Sequence, residues 1–227
     1  MRLPLPVVLA TGNTDKAREI VEILVERADE PVVAWAVTVG THTYGYLLDR
    51  PDDIAATVER TPVPVDPPDV EENGNTLEQN ARIKAGALAD ALGVPAIADD
   101  TGLEVDALDG APGVYSARYA GTRASYRDNV VKLLESLGER DDRHARFATV
   151  AMARWPDGRE VAVRGEVEGE ISKWPRGEHG FGYDPVFVPA EGDGRTFGEM
   201  SASEKHSLSH RGRAFRALVE ALVGTED

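Results

Sequence analysis

Pro95-Ala96-Ile97-Ala98-Asp99-Asp100-Thr101-Gly102-Leu103 places two adjacent carboxylates directly after a short apolar run. This pattern predicts a buried strand over Ala96–Ala98 that ends in a turn at the aspartates. Carboxylate oxygens suit Mg²⁺, and a carboxylate beside a bound metal can take a proton from water. The alternative is a turn in which each aspartate side chain hydrogen-bonds its own backbone. The surrounding segments favour the first interpretation.

Hydrophobic periodicity on both sides of this stretch predicts further strands and helices. The predicted helices are Thr14–Ala28, Thr76–Leu92, Arg123–Leu137 and Ser201–Val223, and the predicted strands are Leu5–Ala10, Pro31–Val39, Arg146–Trp155, Glu160–Glu170 and Phe181–Val188. Thr76 with Gln79, and Ser201 with Glu204, have the spacing of capping boxes at helix starts. Pro156-Asp157-Gly158 predicts a hairpin turn between two of the strands.

The order of these elements predicts an α/β fold with a mixed sheet and flanking helices, because strands alternate with helices in the first half and a hairpin follows in the second. No repeat or linker interrupts the chain, so residues 1–227 are expected to form a single domain. Residues 40–60 are polar and are expected to be an irregular, insertion-like segment. Residues 61–69 are rich in proline and are expected to be extended.

Composition narrows the class of protein. The 227 residues carry a net charge of −15 and contain no cysteine, which excludes disulfides and thiolate-held metals. An acidic chain lacks the basic surface that nucleic acid polymers require. No apolar run approaches the roughly 18 residues of a membrane span, and the N-terminus resembles a first strand more than a signal peptide. A soluble, cytoplasmic protein with no membrane or nucleic acid polymer as partner is therefore expected.

Basic residues are strongly biased towards arginine. Of the 25 Lys and Arg residues, only five are lysines, and Lys16, Lys84 and Lys205 lie inside the motifs described next. An acidic, lysine-poor surface predicts a halophile's cytoplasm, and the alternative is an acidic protein from a GC-rich mesophile genome. Either way, lysines at these motifs fit an anionic substrate.

Thr11-Gly12-Asn13-Thr14-Asp15-Lys16 connects the first predicted strand to the first helix. Backbone N–H groups and the helix dipole at such a junction favour a phosphate, and Lys16 adds a positive charge. An ordinary strand-to-helix turn is the alternative. The spacing of a Walker A loop is absent, so the segment does not predict P-loop chemistry.

Three further blocks combine residue types that suit nucleotide chemistry. Glu71-Glu72-Asn73-Gly74 precedes the helix that carries Asn80 and Lys84 on one face. Phe181-Gly182-Tyr183-Asp184 joins an aromatic ring to a carboxylate, and the ring could stack on a base or belong to the core. Lys205, His210 and Arg211 form a basic cluster that could contact a phosphate or a base.

Together these blocks resemble the inosine triphosphate pyrophosphatase family, also described as XTP/dITP diphosphatases. The matching motifs, in family order between residues 7 and 216, are Thr11-Gly12-Asn13-x-x-Lys16, Glu71-x-x-Gly74-x-Thr76, Asn80-Ala81-x-x-Lys84-Ala85, Ala98-Asp99-Asp100-Thr101-Gly102-Leu103, Gly110-Ala111-Pro112-Gly113-Val114-Tyr115-Ser116-Ala117-Arg118, Gly180-Phe181-Gly182-Tyr183-Asp184-Pro185 and Glu204-Lys205-x-x-x-Ser209-His210-Arg211. Each motif alone is weak, but seven in order are specific.

The resemblance implies an elongated mixed sheet with flanking helices and two lobes around a central nucleotide-binding cleft, usually in a homodimer. It also implies Mg²⁺-dependent cleavage of purine nucleoside triphosphates between the α- and β-phosphates, with preference for ITP, XTP and their deoxy forms. Asp100 corresponds to the general base and a metal ligand, and Glu71 to a metal ligand, with Glu72 as the alternative. Phosphate contacts fall on Thr11, Gly12, Asn13, Lys16 and Lys84, and base contacts fall on Phe181, Gly182, Tyr183, Asp184, Lys205, His210 and Arg211.

Two departures from the family pattern stand out. Thr101 replaces a more common serine, and the retained hydroxyl is expected to keep its substrate-binding role. The segment before Glu71 is longer than usual by roughly two dozen residues. Two alternative functions remain: a pyrophosphatase of the same fold for pyrimidine or modified nucleotides, as in septum-inhibitor-like proteins, and a nucleotide-binding regulator without catalysis. The Ser209-His210-Arg211 block favours purines, and the presence of both Asp100 and Glu71 favours an enzyme.

Overall fold

A computed structural model describes residues 6–27, 33–39, 42–50 and 70–223 of the chain. The strands within them are β1 (Val7–Leu9), β2 (Val33–Val39), β3 (His42–Asp49), β4 (Ala96–Val105), β5 (Pro112–Gly113), β6 (His144–Arg154), β7 (Glu160–Ile171) and β8 (Phe187–Pro189). The helices are α1 (Thr14–Arg27), α2 (Leu77–Leu92), α3 (Tyr126–Leu137), α4 (Ala202–Leu208) and α5 (His210–Val223). None of these helices is long and apolar enough to cross a membrane.

The strands form one mixed sheet in the order β2-β3-β1-β4-β6-β7-β8, with β5 paired to β4. Strand β1 is parallel to β4, with Val8 opposite Ala96, and antiparallel to β3, with Val8 opposite Leu47. A parallel neighbour needs a crossover, whereas adjacent strands joined by a short turn form a hairpin, as β6 and β7 do. This mixed sheet with flanking helices confirms the predicted α/β fold class.

The chain divides into two compact units, and the division falls inside β4 between Asp100 and Thr101. The first unit takes its described residues from Met1–Asp100, Val150–Val163 and Ala214–Asp227, and the second from Thr101–Thr149 and Arg164–Arg213. The first core includes Leu9, Ile20, Leu24, Phe215 and Leu218. The second includes Leu103, Leu133, Phe147, Phe187 and Phe197. The expectations of a single domain over residues 1–227 and of a central cleft stay predictions.

Helix α2 begins and ends as its sequence predicts. The Thr76 hydroxyl accepts a hydrogen bond from the Gln79 N–H at 3.1 Å, and Gly93 ends the helix in the left-handed region at φ 67°. Glycine is preferred there because it lacks a Cβ. The Gln79 side chain accepts from the Asn75 N–H at 2.7 Å. This contact lies one residue before the one that a standard capping box makes.

The expectation of an irregular insertion over residues 40–60 is wrong for residues 42–49. These residues form β3, which pairs with β2 on one side and β1 on the other. Gly45 permits this pairing, because a Cβ at that position would collide with the Leu9 carbonyl oxygen. Leu47 and Leu48 are buried. Residues 51–60, and the extended segment predicted over 61–69, lie outside the described residues.

Two other boundaries differ from the predictions. The strand expected over Phe181–Val188 is confined to β8, and residues before it form turns. The helix expected over Ser201–Val223 breaks at Ser209, whose ψ of 154° is extended. Ser209 caps α5 by accepting the Gly212 N–H on its hydroxyl at 3.0 Å. This local hydrogen bond competes with helix continuation, as serine side chains commonly do. The capping box of Ser201 and Glu204 is confirmed.

Candidate active site

The two adjacent aspartates lie in the middle of β4, which continues to Val105. The prediction that the strand ends before them is therefore wrong, and so is the alternative of an aspartate turn. Asp99 is 1% exposed and Asp100 is 6% exposed. Successive side chains of a strand point to opposite faces of the sheet. The two carboxylates therefore face different helices and serve different contacts.

Asp99 faces the start of α1. Its carboxylate lies 3.5 Å from the Lys16 ammonium. The Asn13 side-chain oxygen caps the same helix by accepting the N–H groups of Asp15 at 3.0 Å and Lys16 at 3.1 Å. The Thr11 hydroxyl accepts the Asn13 N–H at 3.2 Å. The loop before α1 is thus organised around its own N–H groups, next to a lysine that a buried carboxylate holds.

Gly12 lies against strand β3. A Cβ at Gly12 would come within 2.9 Å of the Thr43 carbonyl oxygen, a distance that real Cβ atoms essentially never show. The strand that sequence reasoning took for an irregular insertion therefore supports the predicted phosphate loop. No local signal in residues 42–49 indicated this contact, because it depends on the pairing of β3 with β1.

Asp100 faces helix α2. The Lys84 ammonium lies 3.4 Å from one Asp100 oxygen and 3.3 Å from Glu72. Burial lowers the pKa of Lys84, but the nearby carboxylates of Asp100, Glu72 and Asp99 outweigh it and raise the pKa above its usual value. Lys84 therefore remains a cation in a setting that would otherwise favour loss of its proton.

The sequence placed Asn80 on the same helix face as Lys84 but assigned it no role in the site. Its side chain is fully buried and donates to the second Asp100 oxygen at 3.0 Å, while its oxygen accepts the Gly74 N–H at 2.8 Å. The signal was present in the sequence, since Asn80 precedes Lys84 by four residues on the same helix face. The structure thus brings Asp100, Lys84, Glu72, Asn80 and the loop at Gly74 together in the first unit.

The acids around Lys84 are chemically suited to a hard divalent cation. Glu71 is exposed on the loop that precedes α2, and Glu72 and Asp100 share contact with Lys84. Within the described ranges, no group of three or more His, Cys, Asp or Glu side chains forms a self-sufficient metal site. Mg²⁺ does not need one, because it is commonly bound by one or two carboxylates together with substrate phosphates and water. The donor set fits such an ion.

In the second unit, Asp184 organises the turn that carries Phe181. Its carboxylate accepts the Phe181 N–H at 2.7 Å and the Lys205 ammonium at 2.6 Å. Both charged side chains are 4% exposed. Gly180, at φ 72°, passes so close to this carboxylate that a Cβ there would collide with it. The Asp184 carboxylate therefore stabilises the turn and holds the Lys205 ammonium in place. Gly182 lies in the same turn, at φ 63°.

The half-buried ring of Phe181 is in contact with two cations and a second ring. The Lys205 ammonium lies 5.0 Å from the ring centroid and the Arg211 guanidinium lies 5.5 Å from it. Both distances are within the range of cation–π attraction. The Tyr126 ring lies 5.7 Å away, tilted by 38°. Tyr126 was absent from the predicted site, and its exposure is 41%.

Arg211 begins a short chain of side-chain hydrogen bonds. Its guanidinium donates to the Thr101 hydroxyl at 3.1 Å, and that hydroxyl lies 2.7 Å from the Thr149 hydroxyl. Thr149 is fully buried and was absent from the predicted site. His210, which is 2% exposed, stacks on Phe147 with ring centroids 4.5 Å apart. The second unit therefore links Thr101, Arg211, Phe181, Lys205 and Asp184 through successive contacts, whereas His210 packs against the aromatic core.

Tyr183 occupies the second core. Its ring is 4% exposed, and its hydroxyl donates to the Ser116 carbonyl oxygen at 2.9 Å. Burial, and to a lesser extent the neighbouring Tyr119, raises the pKa of the Tyr183 phenol well above its usual value. These contacts give the side chain a packing role, so a base contact from Tyr183 stays a prediction.

Comparison with known proteins agrees with the resemblance drawn from the motifs. The Ham1 family model matches residues 7–221. The dITP/XTP pyrophosphatase of Deinococcus deserti is 44% identical over 216 residues, covering 95% of this chain and 88% of that protein. A dITP/XTP pyrophosphatase of Thermus thermophilus is 45% identical over 217 residues, covering 95% of this chain and 90% of that protein.

Solved structures agree as well. A HAM1 protein from Coxiella burnetii superposes with a TM-score of 0.74 at 35% identity, covering 96% of this chain and 98% of that one. The Staphylococcus aureus Ham1 protein gives a TM-score of 0.72 at 36% identity, covering 97% and 99%. Ordered motifs, a matching family model and full-length structural similarity lead to one conclusion. The chain belongs to the Ham1 family.

Proposed function

We propose that the protein hydrolyses non-standard purine nucleoside triphosphates, namely ITP, dITP and XTP, to the monophosphate and pyrophosphate, and so cleanses the nucleotide pool. Its family and its identity of 44% to 51% with dITP/XTP pyrophosphatases identify it as a nucleoside-triphosphate diphosphatase. The observation that carries the mechanism is the Asp100 carboxylate, which Asn80 and Lys84 hold by one oxygen each. A carboxylate held in this way is positioned to act as a general base.

The first group of side chains is assigned to the triphosphate. Lys16 and Lys84 supply positive charge, and the Thr11-Gly12-Asn13 loop leads into the start of α1, where the helix dipole favours an anion. Both lysines lie against carboxylates, which orient them before a substrate arrives, and the carboxylates around Lys84 also raise its pKa. Fixed cations and backbone donors stabilise the charge that develops on phosphate oxygens in the transition state.

Asp100 and Glu71 would hold Mg²⁺, with Glu72 as the alternative ligand. When bound, the ion lowers the pKa of a coordinated water and offsets phosphate charge. Asp100 accepts a proton from the water that attacks the α-phosphorus. A new phosphorus–oxygen bond forms there, the bond from the α-phosphorus to the bridging oxygen breaks, and pyrophosphate leaves with the electron pair.

The second group is assigned to the base. Phe181 offers a ring face for stacking, with Gly182, Tyr183 and Asp184 shaping its turn, and Lys205, His210, Arg211 and Thr101 supply polar groups nearby. A donor aimed at the 6-keto oxygen of hypoxanthine or xanthine meets a second donor when the base carries a 6-amino group. The unpaired donors that result disfavour ATP. Rejection of GTP, which keeps the 6-keto group, requires contacts at position 2 that are not assigned to a residue.

Pyrophosphate release across a panel of nucleotides tests this function. With Mg²⁺, we expect kcat/KM for ITP, dITP and XTP to exceed the values for ATP and GTP by far, and EDTA to abolish turnover. Comparable values for ATP and ITP would overturn the specificity but leave the reaction type intact. Preference for a pyrimidine triphosphate would favour a pyrophosphatase for pyrimidine or modified nucleotides. Nucleotide binding without pyrophosphate release would favour a non-catalytic nucleotide-binding regulator.

The cellular setting is part of the same proposal. We propose a cytoplasmic homodimer that acts on free nucleotides and has neither a membrane nor a nucleic acid polymer as partner. Multi-angle light scattering of the purified protein gives the oligomeric mass directly. A monomeric mass at micromolar concentration would contradict the dimer without affecting the assigned chemistry.

A further inference from the structure

The Asn80 side chain joins two parts of the first unit that are far apart in sequence. It is fully buried, and it contacts the Gly74 N–H at 2.8 Å and the Asp100 carboxylate at 3.0 Å. The two partners fix the orientation of the amide. The Gly74 N–H can only donate, so it must face the Asn80 oxygen, and an ionised carboxylate can only accept, so it must face the Asn80 nitrogen.

The approach of the Gly74 backbone is matched to this contact. A Cβ at Gly74 would lie 2.6 Å from the Asn80 side-chain oxygen, so only glycine lets the loop come this close. Gly74 lies two residues after Glu72 in the same loop. Asn80 therefore connects the backbone that carries these acids to the carboxylate in β4.

Lys84 completes the arrangement one helical turn later. Asn80 contacts one Asp100 oxygen and Lys84 lies near the other, so a single face of α2 holds both oxygens of the carboxylate. A carboxylate restrained at both oxygens keeps one rotamer, whereas a single contact would leave rotation about the Cβ–Cγ bond.

We infer that Asn80 is a positioning residue, which orients the Asp100 carboxylate and fixes the Glu71–Gly74 loop relative to it. The inference rests on the proposed function, because it assigns Asp100 the role of general base. Misplacement of a reacting group by about 1 Å can cost on the order of 100-fold in rate. The contribution of Asn80 should therefore appear in kcat more than in KM.

The chain offers a matched control in Asn129. This asparagine is also a buried helical residue, at 2% exposure, whose amide also bridges two groups. Both are main-chain groups: it accepts the Ala120 N–H at 2.8 Å and donates to the Ala117 carbonyl at 3.1 Å. It lies on α3 in the second unit. Asn129→Ala therefore reports what the loss of a buried, bridging asparagine does to the protein in general.

The experiment compares Asn80→Ala, Asn80→Asp and Asn129→Ala with the wild type. For Asn80→Ala we expect kcat with dITP to fall by about 10- to 100-fold, with little change in KM. Amide exchange at Gly74, followed by NMR, should speed up by about tenfold because its acceptor is lost. Asn80→Asp keeps an acceptor for Gly74 but sets a second carboxylate against Asp100, which repels it or shares a proton with it. Gly74 should therefore stay protected while kcat still falls.

Three results would overturn the inference. They are a wild-type kcat in either Asn80 variant, an equal loss of kcat in Asn129→Ala at matched stability, and unchanged Gly74 exchange in Asn80→Ala. If Asn80→Ala does not fold, Asn80→Asp alone decides the kinetic question. Wild-type protein that released no pyrophosphate from dITP would instead overturn the proposed function. In that case Asn80 would have no catalytic role to support. Amide exchange at Gly74 would still show whether Asn80 holds the loop.

Discussion

The predicted site residues around Asp99 and Asp100 differ from those around Phe181 in what their charged side chains contact. Around Asp99 and Asp100, lysines face carboxylates at 3.3 to 3.5 Å, so positive and negative charges are interleaved. Around Phe181, two cations lie 5.0 and 5.5 Å from an aromatic ring. Interleaved charge suits a polyanion that arrives with a divalent cation. Cations beside a ring suit a flat base with carbonyl oxygens.

The two groups also differ in what their buried carboxylates, Asp100 and Asp184, contact. Asp100 takes its contacts from side chains and keeps limited exposure, which suits a reacting group. Asp184 is more deeply buried and is occupied by a backbone N–H and by Lys205. Changes in the first group should therefore act mainly on turnover. Changes in the second should act on stability and on the choice of base.

The largest effect is expected from Asp100→Asn. Removal of a general base costs on the order of 10² to 10⁴ in rate, so kcat for dITP should fall by that factor while the melting temperature changes little. Asp99→Asn, whose side chain faces Lys16 on the other side of the sheet, should lose less. The rate of pyrophosphate release from dITP gives kcat for both variants. Near wild-type kcat in Asp100→Asn would remove the chemical role from the first group.

The next largest effect is expected from Lys205→Met in the second group. It leaves Asp184 as a buried charge without its ammonium partner, a loss that typically costs about 3–5 kcal/mol of stability. Urea denaturation measures the free energy of unfolding. Arg195→Met is the matched control, because Arg195 contacts Glu204 at 2.7 Å on the surface and should change stability much less. Equal losses in the two variants would contradict a structural role for the buried pair.

A smaller effect is expected from Thr149→Val, which keeps the shape but removes the hydroxyl that contacts Thr101. A hydrogen bond of this kind contributes about 1 kcal/mol, so discrimination between dITP and dATP should fall by no more than about tenfold. Ratios of kcat/KM for the two nucleotides measure it. Thr149→Ser keeps the hydroxyl and should keep the ratio. Unchanged discrimination in Thr149→Val would show that the chain from Arg211 does not extend to Thr149.

The smallest effect is expected from salt, because screening acts on charges that are spread over the whole surface. The net charge of −15 should make the folded state repel itself at low ionic strength. At about 1 M salt the Debye length shrinks to about 3 Å, so the melting temperature should rise between about 0.1 M and about 2 M KCl. Screening should at the same time weaken triphosphate binding to the first group. A flat or falling melting temperature would contradict adaptation to high salt.

The family, the class of fold and most helix starts could be predicted from the amino-acid sequence alone. Seven short motifs in order identified the family across nearly the whole chain. The capping residues Thr76 and Ser201 marked helix starts, because a cap is a hydrogen bond between residues three apart. The position of Asn80 and Lys84 on one face of the same helix could also be predicted, because helical spacing is local.

The contacts between residues distant in sequence depend on the tertiary fold. The strand β3 exists because its partners β1 and β2 flank it, and β4 continues through two buried aspartates because Lys16, Lys84 and Asn80 compensate their charge. Thr101 meets Thr149 across 48 residues and Arg211 across 110. The free energy of burying a polar group depends on the partner that satisfies it, and no local sequence pattern specifies a partner that the fold brings from elsewhere in the chain.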